Sequence, residues 1–116
     1  MDMTQLAPNL FVGPQIAEDE LASLAGNGFT DVVCNRPDDE HPGDAPSSVM
    51  ASIAEGLGLA FHYHPIVPGE PFAEQAGKLA AVVARPNAKT FAYCRSGARS
   101  ANAWALAQAP AGYGQP

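Results

Sequence analysis

Basic residues are scarce in this chain. Six lysines and arginines stand against twelve aspartates and glutamates in 116 residues, for a formal net charge of −6. That balance argues against a general nucleic-acid binder, which needs a basic face, but it leaves room for one local basic pocket. Cysteines are scarcer still. There are two, Cys34 and Cys94, with no CxxC between them, and His41, His62 and His64 show no paired ligand spacing with either. Neither a disulfide framework nor a zinc site is expected, and no metal or cofactor is called for. No apolar run approaches the roughly 20 residues needed to span a bilayer. The opening "MDMTQLAPNL" lacks the basic-then-apolar order of a secretory signal. The expected location is therefore the cytoplasm, with neither nucleic acid nor membrane as partner. No internal repeat or low-complexity segment is present.

What is there suits one packed domain. The composition is 47% hydrophobic and 16% charged, enough for a core and too apolar for wholesale disorder. The domain is expected over residues 1–109. The closing "PAGYGQP", residues 110–116, reads as a tail or linker, and a longer parent protein in which the chain continues is one expectation.

Apolar runs and helical spacings alternate along the chain. Strands are expected at Asn9–Gly13, Thr30–Asn35, Leu59–Val67 and Thr90–Tyr93. Helices are expected over "AEDELASLAGNG", over "SSVMASIAEGLG" with Ser47 or Ser48 as N-cap, over Ala73–Ala84, and over Ser100–Gln108. "RPDDEHPGDAP" and "PGEPF" read as polar turns. The order β-α-β-α-β-α-β-α predicts an α/β fold with a mostly parallel central sheet covered by helices. In such sheets ligands gather at the carboxyl ends of the strands.

Cys94 stands at that end of the last strand, in "TFAYCRSGARSANAWALAQ". Arg95, Ser96, Gly97 and Ala98 follow it, then Arg99 and Ser100. A short loop between a strand end and a helix start cannot pair all its N–H groups internally. Several must turn inward and form a nest for an anion, and Gly97 permits the backbone this needs. Arg99 adds a planar fork for two oxygens. The helix dipole and Arg99 should lower the Cys94 pKa. Ser100 can cap the helix or hydrogen-bond the thiolate. The joint pattern points to a nucleophilic thiolate beneath an oxyanion cradle. A lone buried cysteine beside a solvated arginine is the plainer alternative.

"CRSGARS" resembles the active loop of cysteine-dependent phosphatases and of rhodanese sulfurtransferases. Protein tyrosine phosphatases usually place five residues between Cys and Arg. This chain has four, the rhodanese spacing, and Tyr93 holds the place where phosphatases usually carry histidine. Over a wider span, "LFVGPQIAEDELASLAGNGFTDVV", "NRPDDE", "HYHPIVPGE" and "YCRSGARSANAWAL" resemble the bacterial phosphatase-like domain of beta-lactamase hydrolase-like proteins, from about Leu6 to Gln108. The resemblance implies a dual-specificity-phosphatase-like fold. It also implies a fused or partner metallo-hydrolase or sulfur-oxidising protein, as some members have.

Arg36 and Asp38 in "NRPDDE" match that family's pattern. Asp38 or Asp39 is a possible proton donor, against the plain alternative of a Pro- and Asp-rich turn. Phosphatases of this class usually draw a general-acid Asp from the segment reading "PIVPGEPF" here, where Glu70 is the only carboxylate. His64 lies near a strand end and is a possible accessory, or an ordinary satisfied histidine. Cys34 reads as core, with a resolving-thiol role as the minority reading.

The leading expectation is a hydrolase that forms a phosphocysteine on Cys94 from a phosphate monoester. Arg99 and the loop N–H groups would hold the oxygens, and Ser100 would support the thiolate. The alternatives are a sulfurtransferase working through a Cys94 persulfide, and a non-catalytic anion-binding module. In each case the partner is a small anion.

Overall fold

Phe91 and Tyr93 leave the last strand on one side and Ala92 on the other, and all three are buried. A strand covered on both faces must be apolar at every position, which is why "TFAY" shows no alternation. The computed structural model describes residues 1–40 and 42–109. The expected tail from Pro110 onward, and His41, lie outside the described residues.

Five strands form one sheet: β1 (Thr4–Ala7), β2 (Leu10–Gly13), β3 (Asp31–Cys34), β4 (Ala60–Tyr63) and β5 (Thr90–Tyr93). Their order is β1-β2-β5-β3-β4. β1 runs antiparallel to β2, and every other pairing is parallel. Four helices cover the sheet: α1 (Glu20–Gly26), α2 (Ser47–Gly56), α3 (Ala73–Val83) and α4 (Ala98–Gln108), with a 3-10 turn at Asp38–Glu40. The fold is therefore the expected α/β class. Among the described residues no helix is long and apolar enough to cross a membrane.

The core has two layers. Val32, Cys34, Phe91 and Tyr93 face Leu21 and Leu24 of α1 and Met50 and Ala54 of α2. Leu10, Val12, Val33 and Ala92 face Leu79 and Val82 of α3 and Ala103 of α4. Each layer takes alternate residues of the same strands, the period-2 consequence of the pleat.

Several boundaries differ from those expected, and four of the differences bear on the site or its supports. β1 was not anticipated, because Thr4 and Gln5 are exposed on a sheet edge and carry no apolar signal. β4 is shorter than Leu59–Val67. Pro65 has no N–H to donate, so beyond Tyr63 pairing survives as isolated bonds, His64 N to Cys34 O at 2.9 Å and Ile66 N to Asn35 O at 2.8 Å. α2 begins after Pro46, not after a serine N-cap. Since Pro46 offers no side-chain oxygen, Asp38 does so from outside, accepting from Ser47 N at 2.7 Å and Ser47 Oγ at 2.8 Å. Finally, α4 starts at Ala98 with Gly97 as N-cap. Ser100 is thus inside the first turn and is not the cap.

Candidate functional site

The parallel strands deliver four loops to one end of the sheet. Pro14 and Gln15 follow β2, Asn35 to Glu40 follow β3, Ile66 lies just beyond β4, and Cys94 to Gly97 link β5 to α4. Cys94 N donates to Gly13 O at 3.4 Å, Gln15 N to Arg95 O at 3.3 Å, and Asn35 N to Tyr93 O at 2.8 Å. The cysteine loop is thereby held on both sides by the neighbouring strands.

Gly97 takes a φ of 96°, a left-handed conformation open to glycine at little cost. That turn aims its N–H at the Cys94 Sγ, 3.1 Å away. The Cys94 side chain is almost wholly buried. Burial pushes its pKa up, but the backbone N–H groups of Ser100, Arg99, Ser96 and Gly97 favour the thiolate and outweigh it, so the net shift is downward. The loop N–H groups thus converge on the Cys94 sulfur. Arg95 and Ser96 are exposed on its rim, and Ser96 Oγ accepts from Ala98 N at 3.3 Å.

Ser100 contributes its N–H to the thiolate, whereas its hydroxyl points elsewhere. Ser100 Oγ donates to Asn35 Oδ1 at 2.8 Å, and Asn35 Nδ2 donates to His64 O at 2.9 Å. Asn35 was not singled out from the sequence. It is fully buried and ties β3, the end of β4 and the first turn of α4 together.

Arg99 is held just as firmly. Its Nη1 donates to Glu40 Oε2 at 2.6 Å and to Ile66 O at 2.8 Å, and its Nη2 donates to Glu40 Oε1 at 2.7 Å. Glu40 therefore occupies the terminal edge of the guanidinium. The other edge, formed by Nε–H and the outer Nη2 hydrogen, is not used by Glu40 or Ile66. Two parallel donors remain there for two oxygens of one anion. Glu40 and the Cys94 sulfur both favour the charged guanidinium.

The "NRPDDE" loop meets the site through Glu40, not through the aspartates. Arg99 and Arg36 hold the Glu40 carboxylate below its ordinary pKa, so it stays ionised and is not a proton donor. Both oxygens of Asp38 are engaged by Ser47, and Asp38 N donates to Tyr63 Oη at 3.0 Å. Asp38 thus serves α2, in place of the expected proton-donor position. Arg36 is buried, with bonds to Gln15 Oε1 at 3.1 Å, Glu40 Oε1 at 3.3 Å and Asp44 Oδ2 at 2.5 Å.

His64 reaches the site only through its main-chain oxygen. The groups that influence its ring are His62, Lys78 and Glu74, toward α3. Cys34 lies in the α1/α2 layer and donates to Arg36 O at 3.4 Å. Its thiol pKa is pushed up by burial. The Cys94 sulfur is instead surrounded by the N–H groups of its own loop and the first turn of α4, and both cysteines are free. A resolving role for Cys34 is not supported by this arrangement. Among the described residues no cluster of His, Cys, Asp or Glu could hold a metal ion.

Known proteins show the same architecture. A candidate phosphatase from Neisseria meningitidis superposes with a TM-score of 0.77 at 24% identity, over 86% of this chain and 71% of its own. The phosphatase Tk-PTP in its active form gives a TM-score of 0.64 at 22% identity, over 82% and 63%. These likenesses establish a cysteine-phosphatase-like fold. A beta-lactamase hydrolase-like protein of Xylella fastidiosa is 22% identical over 108 residues, 93% of this chain but only 25% of that protein. The chain thus spans about a quarter of the length of that relative. The model of the family "Beta-lactamase hydrolase-like protein, phosphatase-like domain" matches residues 2–111, and the chain belongs to that family.

Proposed function

We propose that this domain is a cysteine-dependent phosphatase-like hydrolase acting on a small phosphate monoester. The observation that carries the reading is the Cys94 sulfur 3.1 Å from Gly97 N–H, among the loop N–H groups and within reach of the Arg99 side chain. The thiolate attacks phosphorus, forming an S–P bond as the ester P–O bond breaks. The leaving oxygen keeps that electron pair and takes a proton from water. Arg99 and the loop N–H groups hold the other phosphoryl oxygens, over which the transition-state charge is spread. Water then attacks phosphorus, the S–P bond breaks, and phosphate leaves with the Cys94 thiolate restored. Ser100 supports that thiolate through its N–H. No metal takes part in this scheme.

One observation favours a second reading. Four residues separate Cys94 from Arg99, a narrower cup that suits a single sulfane sulfur. In that version the Cys94 thiolate attacks the sulfane sulfur of a donor such as thiosulfate. The donor S–S bond breaks and sulfite leaves with its electron pair. The resulting persulfide passes its outer sulfur to a nucleophilic acceptor as the thiolate is restored. We further propose, on the family resemblance alone, that this domain works beside a fused or separate metallo-hydrolase or sulfur-oxidising partner.

Turnover of an aryl phosphate, and of thiosulfate with cyanide as acceptor, separates the two readings. Hydrolysis of the aryl phosphate, lost in Cys94→Ser and strongly reduced in Arg99→Ala, supports the phosphatase. Thiocyanate formation without phosphate release overturns it in favour of sulfur transfer. Neither product would leave the domain as a non-catalytic anion binder.

A further inference from the structure

Four charged side chains alternate in sign across the loops behind the Cys94 cup: Asp44, Arg36, Glu40 and Arg99. We propose that Glu40 and Arg36 are positioning residues, which fix the plane of the Arg99 guanidinium so that its open edge faces the thiolate. The proposal rests on reading Cys94 and Arg99 as an anion cup, and it adds residues that touch no substrate.

The geometry decides between two roles for Glu40. A carboxylate on an arginine that binds anions could act as an internal competitor, displaced when substrate arrives. It would then have to sit on the edge that the anion needs. Glu40 instead spans Nη1 and Nη2, and Ile66 O takes the remaining Nη1 hydrogen. Glu40 and Ile66 O therefore take three of the five guanidinium N–H groups, and the two they leave are neighbours on one edge, while the Cys94 sulfur also accepts from this guanidinium. A planar group held at three points from two loops has no torsional freedom left, so that edge is pre-aimed.

A half-buried carboxylate near an anion site would by itself repel the ligand. Arg36 offsets this. Its Nε donates to Glu40 Oε1, the same oxygen that receives Arg99 Nη2. Its side chain is 8% exposed and that of Glu40 20%. At such burial charge-assisted bonds are stronger than at the open surface. Arg36 is itself anchored by Gln15, which comes from the loop after β2, and by Asp44. Arg36 therefore both neutralises Glu40 and locks the loop that presents it.

The test uses three variants, Glu40→Ala, Glu40→Asp and Arg36→Lys, each checked for folding by its urea midpoint. Two properties are read: the pH dependence of Cys94 alkylation by iodoacetamide, and its protection by vanadate. If Glu40 positions Arg99, Glu40→Ala frees the guanidinium, the Cys94 pKa rises, and vanadate protection weakens by about ten-fold or more, the scale of one charge-assisted hydrogen bond. Glu40→Asp keeps the charge but falls a methylene short, and should show part of the same defect. Arg36→Lys keeps its charge but loses the multi-point anchor, and should behave likewise. A Cys94 pKa that falls in Glu40→Ala, with equal or tighter vanadate protection, would show a competitor or bystander and overturn the proposal. Wild-type protein that vanadate does not protect would refute the anion-cup reading instead. The alkylation profile would still report whether Glu40 holds Arg99, since it needs no bound anion.

Discussion

A Cβ placed on Gly97 would lie 3.2 Å from the carbonyl carbon of Gly13 and 3.3 Å from its Cα and oxygen. The end of β2 and the turn into α4 thus touch backbone to backbone, and Gly97 also carries a positive φ. Gly97→Ala meets both obstacles at once. The conformational part alone costs about 1–2 kcal/mol. The urea midpoint should fall accordingly, and Cys94 should alkylate more slowly at neutral pH because the Gly97 N–H no longer reaches its sulfur. Unchanged alkylation in a destabilised variant would separate packing from thiolate support.

The two thiols should differ sharply in reactivity. Burial raises the Cys34 pKa, while the loop N–H groups lower that of Cys94. In native protein, iodoacetamide should label Cys94 with a titration midpoint below the free-cysteine value of about 8.5, and label Cys34 only after unfolding. Peptide mapping after labelling across pH 5 to 9 measures both.

Asp38 should matter for stability and little for chemistry. Its carboxylate receives Ser47 N and Ser47 Oγ at the start of α2. Asp38→Ala removes that cap, at about 1 kcal/mol. The expected result is a lower unfolding midpoint with phosphatase turnover near wild type. A large loss of turnover with an unchanged midpoint would restore Asp38 as a proton donor.

His64 should make stability depend on pH. Its Nδ1 is buried without a hydrogen-bond partner. Burial lowers its pKa from 6.5, His62 and Lys78 act in the same direction, and Glu74 opposes them. The unfolded chain therefore binds the proton more readily than the folded one. The stabilisation is complete above about pH 6.5 and is lost as pH falls through the lowered folded value. Urea midpoints between pH 7.5 and 5 should drop further for wild type than for His64→Gln.

The parts of this fold that were readable are those whose signal is local. Thr90–Tyr93 is an apolar run that became β5 without adjustment, and Ala73–Ala84 became α3 with one residue trimmed. Cys94, Gly97 and Arg99 were legible because a strand end, a glycine and a helix start are adjacent in the chain. Glu40 was not. A carboxylate in an acidic turn looks like any solvated turn residue, and its partner Arg99 is 59 residues away. Asn35 was hidden in the same way, since its use depends on Ser100, 65 positions on. The cap of α2 was missed because it comes from Asp38 across a loop and not from the residue before the helix. Such pairings are fixed by sheet order, which periodicity does not report.

β5 is the last strand of the described chain, yet it lies between β2 and β3. Until it is made, those two strands flank an empty slot and have no hydrogen-bonding partner on that side. Every bond that shapes the Cys94 loop, to Gly13, to Asn35 and to Glu40, waits for that insertion. Activation of Cys94 therefore coincides with closure of the sheet, and a nascent or partly unfolded molecule carries Cys94 as an ordinary cysteine.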